Sequence, residues 1–196
     1  MKSATSAKHS VHYVVVNTAP KSKARLVCDV GPRKGIQHIT IWARGKRGPA
    51  QVRVIGRNAY FKGTAFTMHV FFGILKAQAK EYAGRWIFVP HSSPAFKPIA
   101  ADVTFPSFAA DLFPANGLSL VTKGKLIGVH GTAHNNGRTV TETLFAPAHG
   151  TPLPAKESAT HPGYTDKDRL TIGPWNVKFH VPVPKNAIPI EVMAGG

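Results

Sequence analysis

Few residues in this chain have a type and spacing suited to chemistry. Of its ten histidines, His130 and His134 sit four apart in "GVHGTAHNNG". That interval places two imidazoles on one side of a helix, the arrangement of many zinc sites. Here Gly131 and the turn-forming "HNNG" argue against a helix, so the histidines read as scattered surface residues and no metal site is expected. The single Cys28 excludes an intramolecular disulfide or a cysteine-based metal cage. The nine acids are spread thinly, with Asp166 and Asp168 the one near pair, in a polar turn beside Lys167. There is no nucleophile elbow, no phosphate-cradling Gly-Lys-Ser/Thr loop and no dinucleotide fingerprint. The expectation is a non-enzyme without a cofactor.

What the chain does offer is apolar surface. The stretch "TAFTMHVFFGILKAQAKEY", Thr64–Tyr82, has helical length, and Thr64 is a suitable N-cap. Phe66, Val70, Ile74 and Ala77 share one face of that helix; Met68, Phe71, Phe72 and Leu75 share another. A helix apolar nearly all round is buried or covers something apolar. A second helix is expected in "VTFPSFAADLF", where Thr104 caps and Pro106 sits in the first turn. Its apolar side is Phe105, Phe108, Leu112 and Phe113. Two readings stand: these side chains complete an ordinary core, or one side packs on a sheet while the other lines a lipid pocket. Burying an acyl chain gains about 0.8 kcal/mol per methylene, which needs many apolar residues and few specific ones.

Charge is the second anomaly. The net charge is +16 over 196 residues, and residues 1–88 hold sixteen Lys/Arg against two acids, Asp29 and Glu81. Such a field favours a polyanionic neighbour, whether anionic lipid, an acidic surface polymer or nucleic acid. The basic turns "GPRKG" (Arg33, Lys34) and "RGKRG" (Arg44, Lys46, Arg47) are candidate contacts with an anionic membrane, or simply solubilising charges. Nucleic acid would require aromatics interleaved with basic residues on one exposed face, whereas here they cluster in the apolar helices, so it is not the favoured partner.

These residues must be positioned by a sheet. Short alternating runs punctuated by 18 Gly and 16 Pro read as antiparallel strands. They are Ser10–Val16, Ala24–Val30, Gly35–Arg44, Ala50–Ile55, "AYFK", two strands in "LSLVTKGKLIGVHGT", "RTVTETLFAP" after an Asn136-Gly137 hairpin turn, "AKESATH" and "DRLTIG". A last strand, "VKFHVPV", is expected to point Val177, Phe179, Val181 and Val183 inward, with Pro182 and Pro184 confining it to a sheet edge or end. The sum is an α+β domain: a large curved antiparallel β-sheet with a helical insertion across one face. One domain, 1–196, is expected, with a flexible N-terminus (about 1–9) and helical lid segments at about 64–82 and 98–113. No stretch approaches the roughly 18 apolar residues of a membrane-spanning helix, and "MKSATSAKHSVHY" lacks the apolar core of a secretory signal.

The succession "VRVIGRNAYFKG", "YAGRWIFVP", "LVTKGKLIGVHGT", "GTPLPAKES" and "IGPWNVKFHVPVPKNA" resembles the LolA/LppX-type lipoprotein and lipid carriers, closest to actinobacterial LppX/LprG-like lipoproteins. The resemblance spans roughly Ser10 to Glu191. In that family Tyr60 would end a strand before the helices, Gly84-Arg85-Trp86 would open the next, and Trp175, Asn176, Val181 and Pro184 match the ending. The resemblance implies a half-barrel whose concave face is closed by helices over a cavity for acyl chains. The family's lipobox and signal are not seen, and "TAHNNGRTVTETLF" is unusually polar. The expected function is non-enzymatic binding or transport of a lipid or acylated glycolipid at the cell envelope by a monomer. The ligand would lie among Tyr60, Phe66, Met68, Phe71, Phe72, Leu75, Trp86, Phe105, Phe108 and Phe113. The alternative is a basic surface-interaction module with a filled core.

Overall fold

A computed structural model describes residues 1–135, 138–160 and 165–194. Twelve strands form one open, mostly antiparallel sheet. The first five are β1 (Val11–Ala19), β2 (Ser22–Val30), β3 (Lys34–Ala43), β4 (Lys46–Ile55) and β5 (Asn58–Gly63), each paired with the next through a tight turn. β6 (Ile87–Pro90) continues this meander beside β5. The chain then crosses to the far edge and returns through β7 (Asn116–Lys123), β8 (Leu126–Asn135), β9 (Arg138–Pro147), β10 (Lys156–Thr160) and β11 (Lys167–Trp175). β11 pairs with β1 and joins the two meanders into a single sheet. A two-residue strand, β12 (Ile188–Pro189), pairs parallel to β6 at the other edge.

The expected large antiparallel sheet is present. Its alternation is legible in burial: along β4, Ala50, Val52 and Val54 are buried while Gln51 and Arg53 between them are not. Cross-strand register sets such residues in rows. One row on the covered face runs Phe61, Val52, Gln37, Cys28, Tyr13 and Ile172.

The helices depart from expectation. The segment read as one helix over Thr64–Tyr82 is two: α2 (Ala65–Val70) and α3 (Lys76–Glu81). Between them Gly73 adopts φ +71°, a left-handed conformation that ends the first helix. Thr64 does cap α2, its hydroxyl accepting from the Thr67 N–H at 3.2 Å. Over the crossover, α4 (Phe96–Ala100) precedes α5 (Phe105–Ala110). Thr104 is the N-cap residue of α5 but makes no side-chain capping bond. Residues 1–9, expected to be loose, contain α1 (Lys2–Ser6), whose Thr5 is buried. A sixth helix, α6 (Ile190–Ala194), ends the described chain.

The expected final strand over "VKFHVPV" does not form. Residues 177–184 join no ladder; Pro182 and Pro184 carry no N–H, and edge pairing passes instead to Ile188 and Pro189. Val181 is buried as expected, but Val183 is 61% exposed. The segment is pinned by side chains: Lys34 Nζ donates to the Phe179 carbonyl at 3.2 Å and Arg53 Nη1 to the Pro182 carbonyl at 2.7 Å. The expected Asn136-Gly137 turn lies outside the described residues, although β8 and β9 on either side of it pair antiparallel.

Two buried clusters occupy the covered face. One joins β3–β6 to α2, α3 and α4 through Ile39, Val52, Phe61, Met68 and Ile87; the other joins β1, β2, β9 and β11 to α5 through Tyr13, Cys28, Phe108 and Leu144. The reason for a crossover over that face is topological. β6 and β7 lie on opposite sides of the sheet, so the 91–115 connection must traverse it. It docks closely: the Phe105 N–H donates to the Gly31 carbonyl at 2.8 Å, and the Tyr13 hydroxyl donates to the Asp102 carbonyl.

Candidate binding cavity

Where α5 and the following residues bridge β1, β2 and β8–β11, a cavity of about 430 Å³ remains. Its apolar wall includes Val15, Leu26, Leu170, Phe108, Leu112 and Phe113. Phe108 stacks on Tyr13 with ring centroids 4.5 Å apart, fixing α5 to the sheet. A second hollow of about 300 Å³ lies toward α2 and is lined by Ile41, Ala43, Val70 and Phe71. Both hollows touch Asn17 and Asp168, so they adjoin along the covered face.

The other half of the main wall is acidic. Asp102, Asp111, Glu142, Glu157 and Asp168 all line it, five of the chain's nine carboxylates. Strand register explains the convergence. Asn17, Asp168, Ala159, Glu142 and Gly131 occupy one cross-strand row, and Glu157 stands in the next, opposite Leu170 and Leu144. Alternate residues of a strand face the same side, so these acids share the cavity. The crossover supplies Asp102 and Asp111 from above. Asn17 Nδ2 donates to Asp168 Oδ1 at 2.8 Å. Glu142 is only 6% exposed, and its Oε1 has no hydrogen-bond partner among the described residues.

Crowding of carboxylates with little water raises their proton affinity. Burial first, then the charges of Glu142, Asp168 and Asp102, push Glu157 from 4.5 up to about 8. Asp102 climbs to about 6, through lost hydration and then the charge of Asp111. It is exposed as a whole residue, yet its place on the cavity wall still removes much of its water. Glu142 is raised by burial and by Asp111. Cys28, beneath Tyr13, is a buried thiol driven to about 12, chiefly by desolvation, and is no nucleophile. No group of three or more metal-ligating side chains occurs among the described residues. His130 instead bonds Thr143 Oγ1 through Nδ1 at 2.9 Å; the His134 side chain lies outside the described residues.

The residues read from sequence as lining a ligand site are scattered. Phe108 and Phe113 line the main cavity, and Phe71 lines the second hollow. Phe105 packs edge-on to Trp175, Phe72 tilts against Phe61 at 4.6 Å, and Met68 is wholly buried in the first cluster. Phe66 is partly buried against the same cluster, and Leu75 stands 68% exposed before α3. Tyr60 and Trp86 lie on the opposite side of the sheet, Tyr60 beside Phe88, because their neighbours Phe61 and Ile87 take the covered face. The cavity acids were the residues sequence reading missed. Their strand alternation was the available signal, and it acquires meaning only once β9, β10 and β11 are known to be neighbours.

The opposite face is basic. Trp42 lies between Lys23 and Arg47, whose charges stand 5.6 and 5.4 Å from its ring. Trp86 lies between Arg53 and Lys62 at 4.5 and 4.7 Å. Aromatics and cations are therefore interleaved here, contrary to the expectation that aromatics stay in the apolar helices. The two basic turns do not form one patch. Arg33 and Lys34 stand at the start of β3, Arg33 just before it, while Arg44, Lys46 and Arg47 follow its far end, about 30 Å away along a ten-residue strand.

No family model matches the chain, and a comparison with curated proteins found no match. Among solved structures, an uncharacterized conserved protein from Thermus thermophilus aligns over 96% of this chain and 93% of its own. The TM-score is 0.48 and the identity 8%, a likeness too faint to support an inference. No helix among the described residues is long and apolar enough to cross a membrane.

Proposed function

We propose that this chain is a non-enzymatic binder of lipid or another amphipathic molecule, with a LolA/LppX-like arrangement of sheet and overlying helices. The observation that carries the reading is the hollow of about 430 Å³ between sheet and crossover. It lies within the range of about 300–1,000 Å³ typical of small-molecule sites. Val15, Leu26, Leu170, Phe108, Leu112 and Phe113 would take the hydrocarbon.

The interleaved cations and tryptophans of the other face support reversible docking on an anionic membrane, where ligand would be gained or given up. Each tryptophan ring is flanked by the chain's own cations, which leaves less stacking surface for nucleobases.

The test is mass spectrometry of an organic extract of purified protein, beside the variant Ala159→Phe. Ala159 lines the cavity between the Glu142 and Asp168 positions, so a phenyl ring there fills it. Co-purified amphiphile in the native protein and its loss from the variant are expected. A folded variant that retains the same ligand would overturn the assignment of this cavity.

A further inference from the structure

The polar half of the cavity has an unusual composition for a lipid site, and that composition limits the ligand. The chain carries +16 overall, yet five of its nine carboxylates face one hollow. Among the described residues, none of Asp102, Asp111, Glu142 and Glu157 forms an ion pair with a lysine or arginine. Arg169, exposed on β11, is the basic residue that also reaches the wall. Most telling is Glu142, more than nine-tenths buried on the central row, lining the cavity with a carboxylate oxygen that has no partner among the described residues. A buried acceptor left without a donor costs roughly 1–3 kcal/mol, more when charged, and that cost is removed when a ligand supplies the donor.

We propose that the acidic wall receives the cationic end of the ligand, a primary amine or other organic ammonium group attached to an apolar chain. The inference rests on the cavity being a binding site for amphiphiles, as proposed above. An anionic head such as a carboxylate or phosphate would meet repulsion from the same wall. A metal ion is a poorer match, because no three ligating groups converge among the described residues. An ammonium needs no fixed coordination geometry, and one of its N–H groups would supply the donor that Glu142 Oε1 lacks without the other wall carboxylates having to close around a single point. The aliphatic stem would then run toward Leu170, Leu26 and Phe108.

Protonation belongs to the same mechanism. The groups facing Glu142 are Asp111 and Asp102 from the crossover, Glu157 from β10, Asp168 and Arg169 from β11, and Tyr13 from β1. With Glu157 held up to about 8, the unliganded wall retains a proton near neutrality. An arriving cation displaces that proton, so affinity for the cation rises as the solution is made more alkaline, until the amine itself loses its proton.

Calorimetric titration of the full chain at pH 8 with dodecylammonium, dodecanol and dodecanoate, all below their aggregation limits, tests the proposal. The ammonium is expected to bind at least tenfold more tightly than either of the others, with protons released on binding. In Glu142→Gln and in Glu157→Gln the ratio of ammonium to alcohol affinity should fall toward one. Each is an isosteric change that relieves repulsion, so folding is not at risk in both. Alcohol or dodecanoate binding as tightly as the ammonium overturns the cationic assignment and leaves the cavity's binding role standing. Failure of all three to bind overturns both. Calcium chloride alone binding through Glu142 would mark a metal site and sink the organic-cation assignment.

Discussion

The Glu157 carboxyl gives the structure a stability profile opposite to that of most carboxylates. Its pKa is raised in the folded chain, from 4.5 to about 8, by burial and by Glu142, Asp168 and Asp102. Between those values the folded chain holds a proton that the unfolded chain has released. Stability is therefore greatest below about pH 4.5 as far as this group is concerned, and falls as pH rises through about 8. At about 1.4 kcal/mol per pH unit the upper bound is near 5 kcal/mol, and residual access to water lowers the expected loss to about 2–3 kcal/mol. Glu157→Gln removes the titration while keeping the shape. The assay is urea unfolding of both proteins at intervals from pH 5 to 8.5. The difference between them isolates this group from other titrations, including that of His38, whose pKa is lowered by burial and whose effect runs the other way. The variant should match the native protein near pH 5 and exceed it by about 2–3 kcal/mol at pH 8.5, about 1 M in urea midpoint. A difference independent of pH, or one that favours the native protein as pH rises, would refute the crowded-carboxylate account of the cavity.

Two further expectations follow from the fold and its basic face. A methyl group at Gly35 would lie 1.8 Å from the Val103 carbonyl oxygen, so Gly35→Ala must displace the crossover from β3. A loss of about 3 kcal/mol, or about 6–12 °C in Tm, is expected by thermal unfolding, and a change within about 2 °C would show that the crossover slides freely. Replacing Lys23 and Arg47 together by Ala should weaken sedimentation with phosphatidylglycerol vesicles by about thirtyfold, at about 1 kcal/mol for each cation, with binding that collapses in high salt. Equal binding by the variant would remove Trp42 and its flanking cations from the docking surface, and tighter binding of duplex DNA than of vesicles would name a different polyanion.

The strands were readable in sequence because period-two alternation is a local property. Ile39 and Ile41 against His38 and Thr40 declare a face without knowledge of any neighbour. Thr64 as the cap of α2 was readable for the same reason. The long helix was misread because apolar content over Thr64–Tyr82 outweighed Gly73, whose left-handed backbone splits the segment. The last strand was misread because Val177, Phe179 and Val181 alternate in burial without a backbone partner.

Composition and local pattern alone determined a large antiparallel sheet, a strongly basic chain and an apolar middle third, since each depends on residues near one another in sequence. Which residues share a wall was decided by the tertiary structure. The order that sets β11 beside β1, and the crossover this order forces over the covered face, bring Asp102, Asp111, Glu142, Glu157 and Asp168 together from across 67 positions. Charges that look dilute along a chain become concentrated when strand register stacks them, because a sheet spaces its neighbours by about 5 Å whatever their separation in sequence.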